Sequence, residues 1–336
     1  MMRVKGAKTA RQAAHWLRSR WGQQVMLLGY HRVANVDHDP YSVVVRPSRF
    51  AEQMAVLRRE AHPISLAKAY EGLQTGNLPQ RAVVVTFDDG YTDVLSQARP
   101  LLAQYEIPAT TFVVAGCLGQ ELWWDELARI ILSPVALPDR LQLNINGRLH
   151  TWSIFDPQRE RDLLRKQAPT PRYRLLLMLY QALLAQPEAR LSVMAELHTW
   201  SLVGPINYDL SETGNVMSPS QLADLIGDGL VEVGAHTVTH AALASLATEV
   251  QAEEIRQSKS MLEEITRRPV TSFSYPHGSM TTVTQKLVQE AGYTLACASY
   301  NGLARRGSNP FYLPRFWPTD WDGETFARWL RRWLHG

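Results

Sequence analysis

Three short segments concentrate the side chains that could do chemistry. Thr86-Phe-Asp-Asp-Gly-Tyr91 sets two carboxylates, Asp88 and Asp89, directly after an apolar, β-branched run. Adjacent carboxylates beside a core are costly unless a cation or a proton offsets their repulsion. The plainer alternative has one of them capping the next helix and the other in solvent. Ala235-His-Thr-Val-Thr-His240 spaces two imidazoles four residues apart. On one face of a helical turn they would meet within reach of a single metal ion, although such pairs also arise as ordinary core or surface histidines. Glu232 shares strand parity with Gly234 and is not counted as a ligand. Ser274-Tyr-Pro-His-Gly278 is a proline turn whose amides and aromatic groups suit a pocket wall, or simply the end of a strand.

Each segment needs an element to place it. Val25–Tyr30, Ala82–Phe87, Ala109–Val114, Leu230–Gly234, Thr271–Tyr275 and Tyr293–Ala298 read as short buried strands. Helical patterns separate them: one opening at Pro47-Ser48 with Phe50, Met54 and Leu57 inward, one carrying Val94, Ala98 and Leu101, and others at 219–227 and 248–267. Leu313–Phe316 reads as a last short strand before a terminal helix from Glu324 to Leu334. Alternating strand and helix predicts a parallel α/β sheet or barrel. All three chemical segments, and His31, then lie at the C-terminal ends of strands, where active sites of parallel barrels gather. From about 121 to 215 the alternation breaks into helical patterns and a small hairpin turning at Asn146-Gly147, which predicts an insertion covering one face of the barrel.

Composition narrows the function classes. A chain of 336 residues with net charge +3 has no overall nucleic-acid signature. Residues 1–22 form a basic leading segment: no acidic residue precedes Asp37, and Trp16, Leu17 and Trp21 interleave with arginines and lysines. Such a helix is either a solvated surface or a peripheral contact with an anionic membrane. With no signal-peptide pattern and no run long enough to span a bilayer, the expected location is cytoplasmic, peripheral to the inner membrane if that contact forms. Cys117 and Cys297 are too few and too far apart for a disulfide framework and read as free thiols.

In order and in chemistry the three segments resemble the motifs of the polysaccharide deacetylase (NodB-homology) family: TFDDG, [ST]HTxxH and an xPYG-like turn. The likeness runs from about Val25 to Arg315 outside the insertion. Tyr30-His31-Arg32-Val33, Trp123-Trp124-Asp125-Glu126-Leu127 and Ser258-Lys259 resemble a bacterial branch linked to exopolysaccharide synthesis. The resemblance implies a distorted (β/α) barrel over residues 23–336 with the mainly helical insertion, and hydrolytic N-deacetylation of an N-acetylated glycan. It implies one divalent metal ion, zinc first and cobalt, nickel or manganese as alternatives, held by Asp89, His236 and His240. Asp88 becomes the general base and the His277 backbone N–H a donor to the oxyanion, with Tyr91, Tyr275 and Pro276 on the same substrate and oxyanion side.

Two departures follow. The family turn carries an arginine where this chain has Ser274, and Arg315, from another strand, is the expected replacement at Asp88. The late histidine that protonates the leaving amine has no clear counterpart: His335 sits in the helical tail, so His31 is preferred over His277. Trp123, Trp124, Trp317 and Trp321 offer stacking surfaces for sugars, or packing. A covered bowl favours a short oligosaccharide or lipid-linked glycan. Rival readings are a metal-dependent hydrolase of another amide or a phosphoester, and a catalytically silent carbohydrate-binding barrel. The sequence does not reveal the oligomeric state.

Overall fold

The computed structural model describes residues 23–36, 38–133, 137–145, 147–153, 170–201 and 214–334. The basic segment 1–22, Asn146 of the expected hairpin turn and His335 lie outside the described residues. The chain divides into two compact units, one of residues 1–37, 43–119 and 216–336, the other of 38–42 and 120–215.

The first unit is built on a parallel sheet. Its strands run in the order Leu295–Cys297, Ser272–Ser274, Val231–Ala235, Ala109–Val113, Ala82–Phe87 and Gln24–Tyr30, with Ala304–Arg305 antiparallel at the far edge. Every residue of Ala82–Phe87 is buried, as expected for a strand covered on both faces. Leu313–Phe316 links the two ends of this order: Leu313 bridges Cys297 and Phe316 bridges Leu28, both in parallel sense. Phe316 N–H donates to Leu27 O at 2.8 Å, and Ala298 N–H donates to Leu313 O at 2.8 Å. That segment curls the sheet into a distorted (β/α) barrel, and Arg315 lies inside the closure.

Helices clad the barrel. Pro47–Glu60 buries Phe50, Met54 and Leu57. The helix after the two aspartates differs from expectation: it opens as a wide turn, Val94–Ala98, before regular helix Arg99–Gln104. Pro100 has no N–H to give and its ring crowds the carbonyl four residues back, which favours a widened turn. The extra residue shifts the phase, so Leu102 is buried in place of Leu101.

The second unit combines helices Trp123–Ile131, Pro171–Ala185 and Arg190–Ser201 with the hairpin Arg140–Ile145/Arg148–Ser153. Leu141, Leu143 and Ile145 alternate inward and meet Leu127, Ile131, Leu176, Leu183 and Leu197 in a separate core. Trp124 is buried and Trp123 stacks on Tyr180 at 5.5 Å, so these two tryptophans serve packing.

Candidate metal and hydrolytic site

Strand ends bring the expected residues together. Asp88 and Asp89 follow the strand ending at Phe87, and Asp89 adopts a left-handed backbone (φ 70°). Gly90 follows at φ 81°, with room for no side chain: a Cβ there would lie 3.0 Å from Val113 Cγ1. His236 follows the strand ending at Ala235. The two histidines do not share a helical turn, which corrects the spacing argument. Thr237 (φ 64°) and His240 (φ 56°) are left-handed, and the loop doubles back so that the rings meet at 4.9 Å. A helix cannot contain those conformations.

The ligand atoms of Asp89, His236 and His240 lie within 4.8 Å of one another, and all three residues are buried. Asp89 Oδ1 is 3.3 Å from His240 Nε2 and 3.6 Å from His236 Nε2, yet this buried oxygen has no hydrogen-bond partner among the described residues. His236 Nδ1 lies 2.8 Å from the Ser274 carbonyl, which can only accept, so Nδ1 carries the proton and Nε2 presents its lone pair to Asp89. A lone pair facing a carboxylate oxygen in a buried site is repulsive unless a cation or a proton lies between them. One carboxylate and two imidazoles are the donor set of an open zinc-type site, so the residues fit the ion. Burial lowers the His236 pKa to about 4 and outweighs the opposing pull of Asp88, which keeps the imidazole neutral as a ligand must be. Burial raises the Asp89 carboxyl, but the neighbouring His240, then His31 and His236, more than reverse this and leave it well below the usual range.

Asp88 lies beside the same group, its Oδ2 3.8 Å from His236 Nε2, but takes its hydrogen bonds from elsewhere. Arg315, 0% exposed, donates from Nη1 to Asp88 Oδ1 at 2.6 Å and from Nη2 to Oδ2 at 2.8 Å. Its remaining donors go to Thr86 Oγ1, Ser274 Oγ and Ala298 O. Ser274 Oγ–H in turn reaches Asp88 Oδ2 at 3.2 Å. Burial pushes the Asp88 carboxyl up, but Arg315, then His236, bring its pKa below the ordinary value. The small side chain at 274 and the guanidinium at 315 are therefore one arrangement: the serine leaves space that the arginine fills.

The other expected residues are placed as follows. His31 stacks on Trp317 at 5.0 Å. His277 is left-handed (φ 56°) in the proline turn, with its ring 4.5 Å from that of His240. Pro276 is buried, and the rings of Tyr91 and Tyr275 have no exposed surface: Arg32 covers Tyr91, and Tyr275 Oη donates to Phe311 O. Two supports complete the site: Trp317, which the sequence offers as a stacking surface for sugars or as packing, and Asp93, which it does not signal. Trp317 lies between His31 and Arg315, whose guanidinium is 4.6 Å from its ring. Asp93 accepts from Arg32 Nε at 2.9 Å and from Val33 N–H at 3.0 Å, tying the loop after His31 to the turn after Asp89. Arg32 and Asp93 are far apart in sequence and leave no periodic signal.

Comparison with known proteins points the same way. The family profile described as Polysaccharide deacetylase matches residues 75–138 and 195–296. A poly-beta-1,6-N-acetyl-D-glucosamine N-deacetylase of Escherichia coli (strain K12) is 37% identical over 84 residues, 24% of this chain and 12% of that protein. The Staphylococcus aureus (strain MSSA476) protein of the same name is 33% identical over 78 residues, 23% of this chain and 27% of its own. The aligned stretch thus spans a minor part of either relative. Among solved structures, IcaB from Ammonifex degensii superposes with a TM-score of 0.59 at 19% identity, covering 92% of this chain and 98% of that one. The Streptococcus pyogenes deacetylase PplD, solved with acetate, gives 0.58 at 16% identity over 91% and 97%. At these identities the likeness is one of fold.

Proposed function

The chain belongs to the polysaccharide deacetylase family, and from that premise we propose that it is a metal-dependent hydrolase removing N-acetyl groups from an N-acetylglucosamine glycan of the exopolysaccharide type. The observation that carries this reading is the separation of two adjacent carboxylates into two settings: Asp89 against His236 and His240, and Asp88 against Arg315. The names of the Escherichia coli and Staphylococcus aureus relatives support the choice of glycan.

Asp89, His236 and His240 would hold the ion. When bound, a divalent cation would polarise the acetamide carbonyl and favour ionisation of water. Asp88, ionised and fixed by Arg315, takes a proton from the attacking water; Oδ1 retains lone-pair capacity beside its bond from Nη1. The water oxygen bonds to the acetyl carbon and the His277 backbone N–H donates to the developing oxyanion. As the C–N bond breaks, protonated His31 gives its proton to the leaving nitrogen, releasing acetate and a free amino sugar. The stacking of His31 on Trp317 supports this role by fixing the ring plane.

The test is acetate release from β-1,6-linked N-acetylglucosamine oligosaccharides, with zinc or cobalt supplied and then removed by a chelator. Release that requires the metal is expected. Tight metal binding without release would move the reading to another acyl substrate, and absence of both would favour a silent binding barrel.

A further inference from the structure

The loop carrying the two imidazoles is held in an unfavourable conformation by a carboxylate that takes no part in the chemistry above. Between His236 and His240 the chain is left-handed at Thr237, a β-branched residue, and again at His240. Such residues persist only where their surroundings over-determine them. From one side, Ala115 N–H donates to Thr237 O at 3.0 Å and Gly116 N–H to Val238 O at 2.9 Å. Gly116 is needed for that approach, since a Cβ on it would sit 2.6 Å from the same oxygen. From the other side comes Glu254, on helix Thr248–Thr266. Its Oε2 accepts from Val238 N–H at 2.8 Å and Thr239 N–H at 3.0 Å, and its Oε1 accepts from Thr239 Oγ1–H at 2.8 Å.

We propose that Glu254 is a positioning residue for the metal centre, fixing the separation of His236 and His240 through the two residues between them that it grips. The inference rests on the metal reading of Asp89, His236 and His240. Three bonds from one half-buried side chain converge on Val238 and Thr239, and Thr239 immediately precedes His240. Without them the left-handed turn loses its outer support, and the imidazoles must be ordered by the ion itself. That ordering appears as weaker binding. A glutamine can replace the glutamate: its Oε1 accepts both N–H groups and its Nε2 donates to Thr239 Oγ1. An aspartate keeps the charge but withdraws the acceptor by one methylene.

The experiment titrates the metal-free full chain with cobalt(II), following visible absorption, in wild type, Glu254→Ala, Glu254→Asp and Glu254→Gln, with far-UV circular dichroism of each metal-free protein as the folding control. Loss of a group that orients metal ligands from behind typically costs about 10–100-fold in affinity. That loss is expected for the alanine and aspartate variants, with altered cobalt band positions. The glutamine variant should remain close to wild type. Wild-type-like binding by folded alanine and aspartate variants, or a glutamine variant as weak as alanine, would overturn the proposal. Failure of the wild type to bind cobalt would instead overturn the metal reading on which it stands.

Discussion

Arg315 is the side chain on which the setting of Asp88 most depends. Its guanidinium is fully buried and its charge is matched by one carboxylate at 2.6 Å. Removing one partner of such a pair leaves an uncompensated charge, at a cost of about 3–5 kcal/mol. Arg315→Ala should therefore lower unfolding free energy by roughly that amount and depress kcat, both read on one preparation by urea denaturation and acetate release. An unchanged stability would mean that Asp88 takes up a proton or water without penalty. His236 makes a pH prediction. Its folded pKa of about 4 lies below the ordinary 6.5, so between these values the unfolded chain binds more protons than the folded one. The stability of the metal-free protein is then fully present above the ordinary value and falls as the pH drops toward 4. Denaturation of chelated protein across pH 4–7 should show a shallower slope in His236→Gln; identical slopes would remove His236 as the cause. At this scale the sequence was legible where motifs combine, as with Asp89, His236 and His240, which the structure brings together. It was opaque where support comes from distant positions, as with Asp93 and Glu254.

The elements place these groups by closing a barrel. Parallel strands deliver their C-terminal ends to one face, and Leu313–Phe316 joins the two edges by isolated bridges. The strands and their parallel sense followed from alternation, because buried β-branched runs such as Val83–Val85 have few other uses. The loop between the histidines did not, because its left-handed residues, Thr237 and His240, carry no glycine or asparagine signal. The phase of the helix after the aspartates was missed for a related reason: Pro100 changes the turn width, which a fixed helical period does not anticipate. One prediction belongs here. Gly29, in the first strand, faces the Trp317 ring so closely that a Cβ would fall 2.5 Å from Cζ3. Gly29→Ala should cost about 1–3 kcal/mol of overpacking and, by displacing Trp317 from His31 and Arg315, lower kcat more than it raises KM. Denaturation and steady-state kinetics check both, and a fully active, equally stable variant would show that the ring is not held there.

For the whole molecule, the family and the barrel were legible because three separate motifs recur in the right order at strand ends, which chance seldom supplies. The glycan was not legible, since sugar recognition depends on surface shape and no short motif encodes it. Among the described residues no helix is long and apolar enough to cross a membrane. The central claim is a division of labour between two neighbouring carboxylates, and the most direct measurement compares Asp88→Asn with Asp89→Asn for both cobalt affinity and acetate release. The account predicts that Asp88→Asn keeps the ion and loses turnover by about 100-fold or more, while Asp89→Asn loses the ion and turnover together. An Asp88→Asn protein that still releases acetate at the wild-type rate, or an Asp89→Asn protein that binds cobalt undiminished, would contradict it.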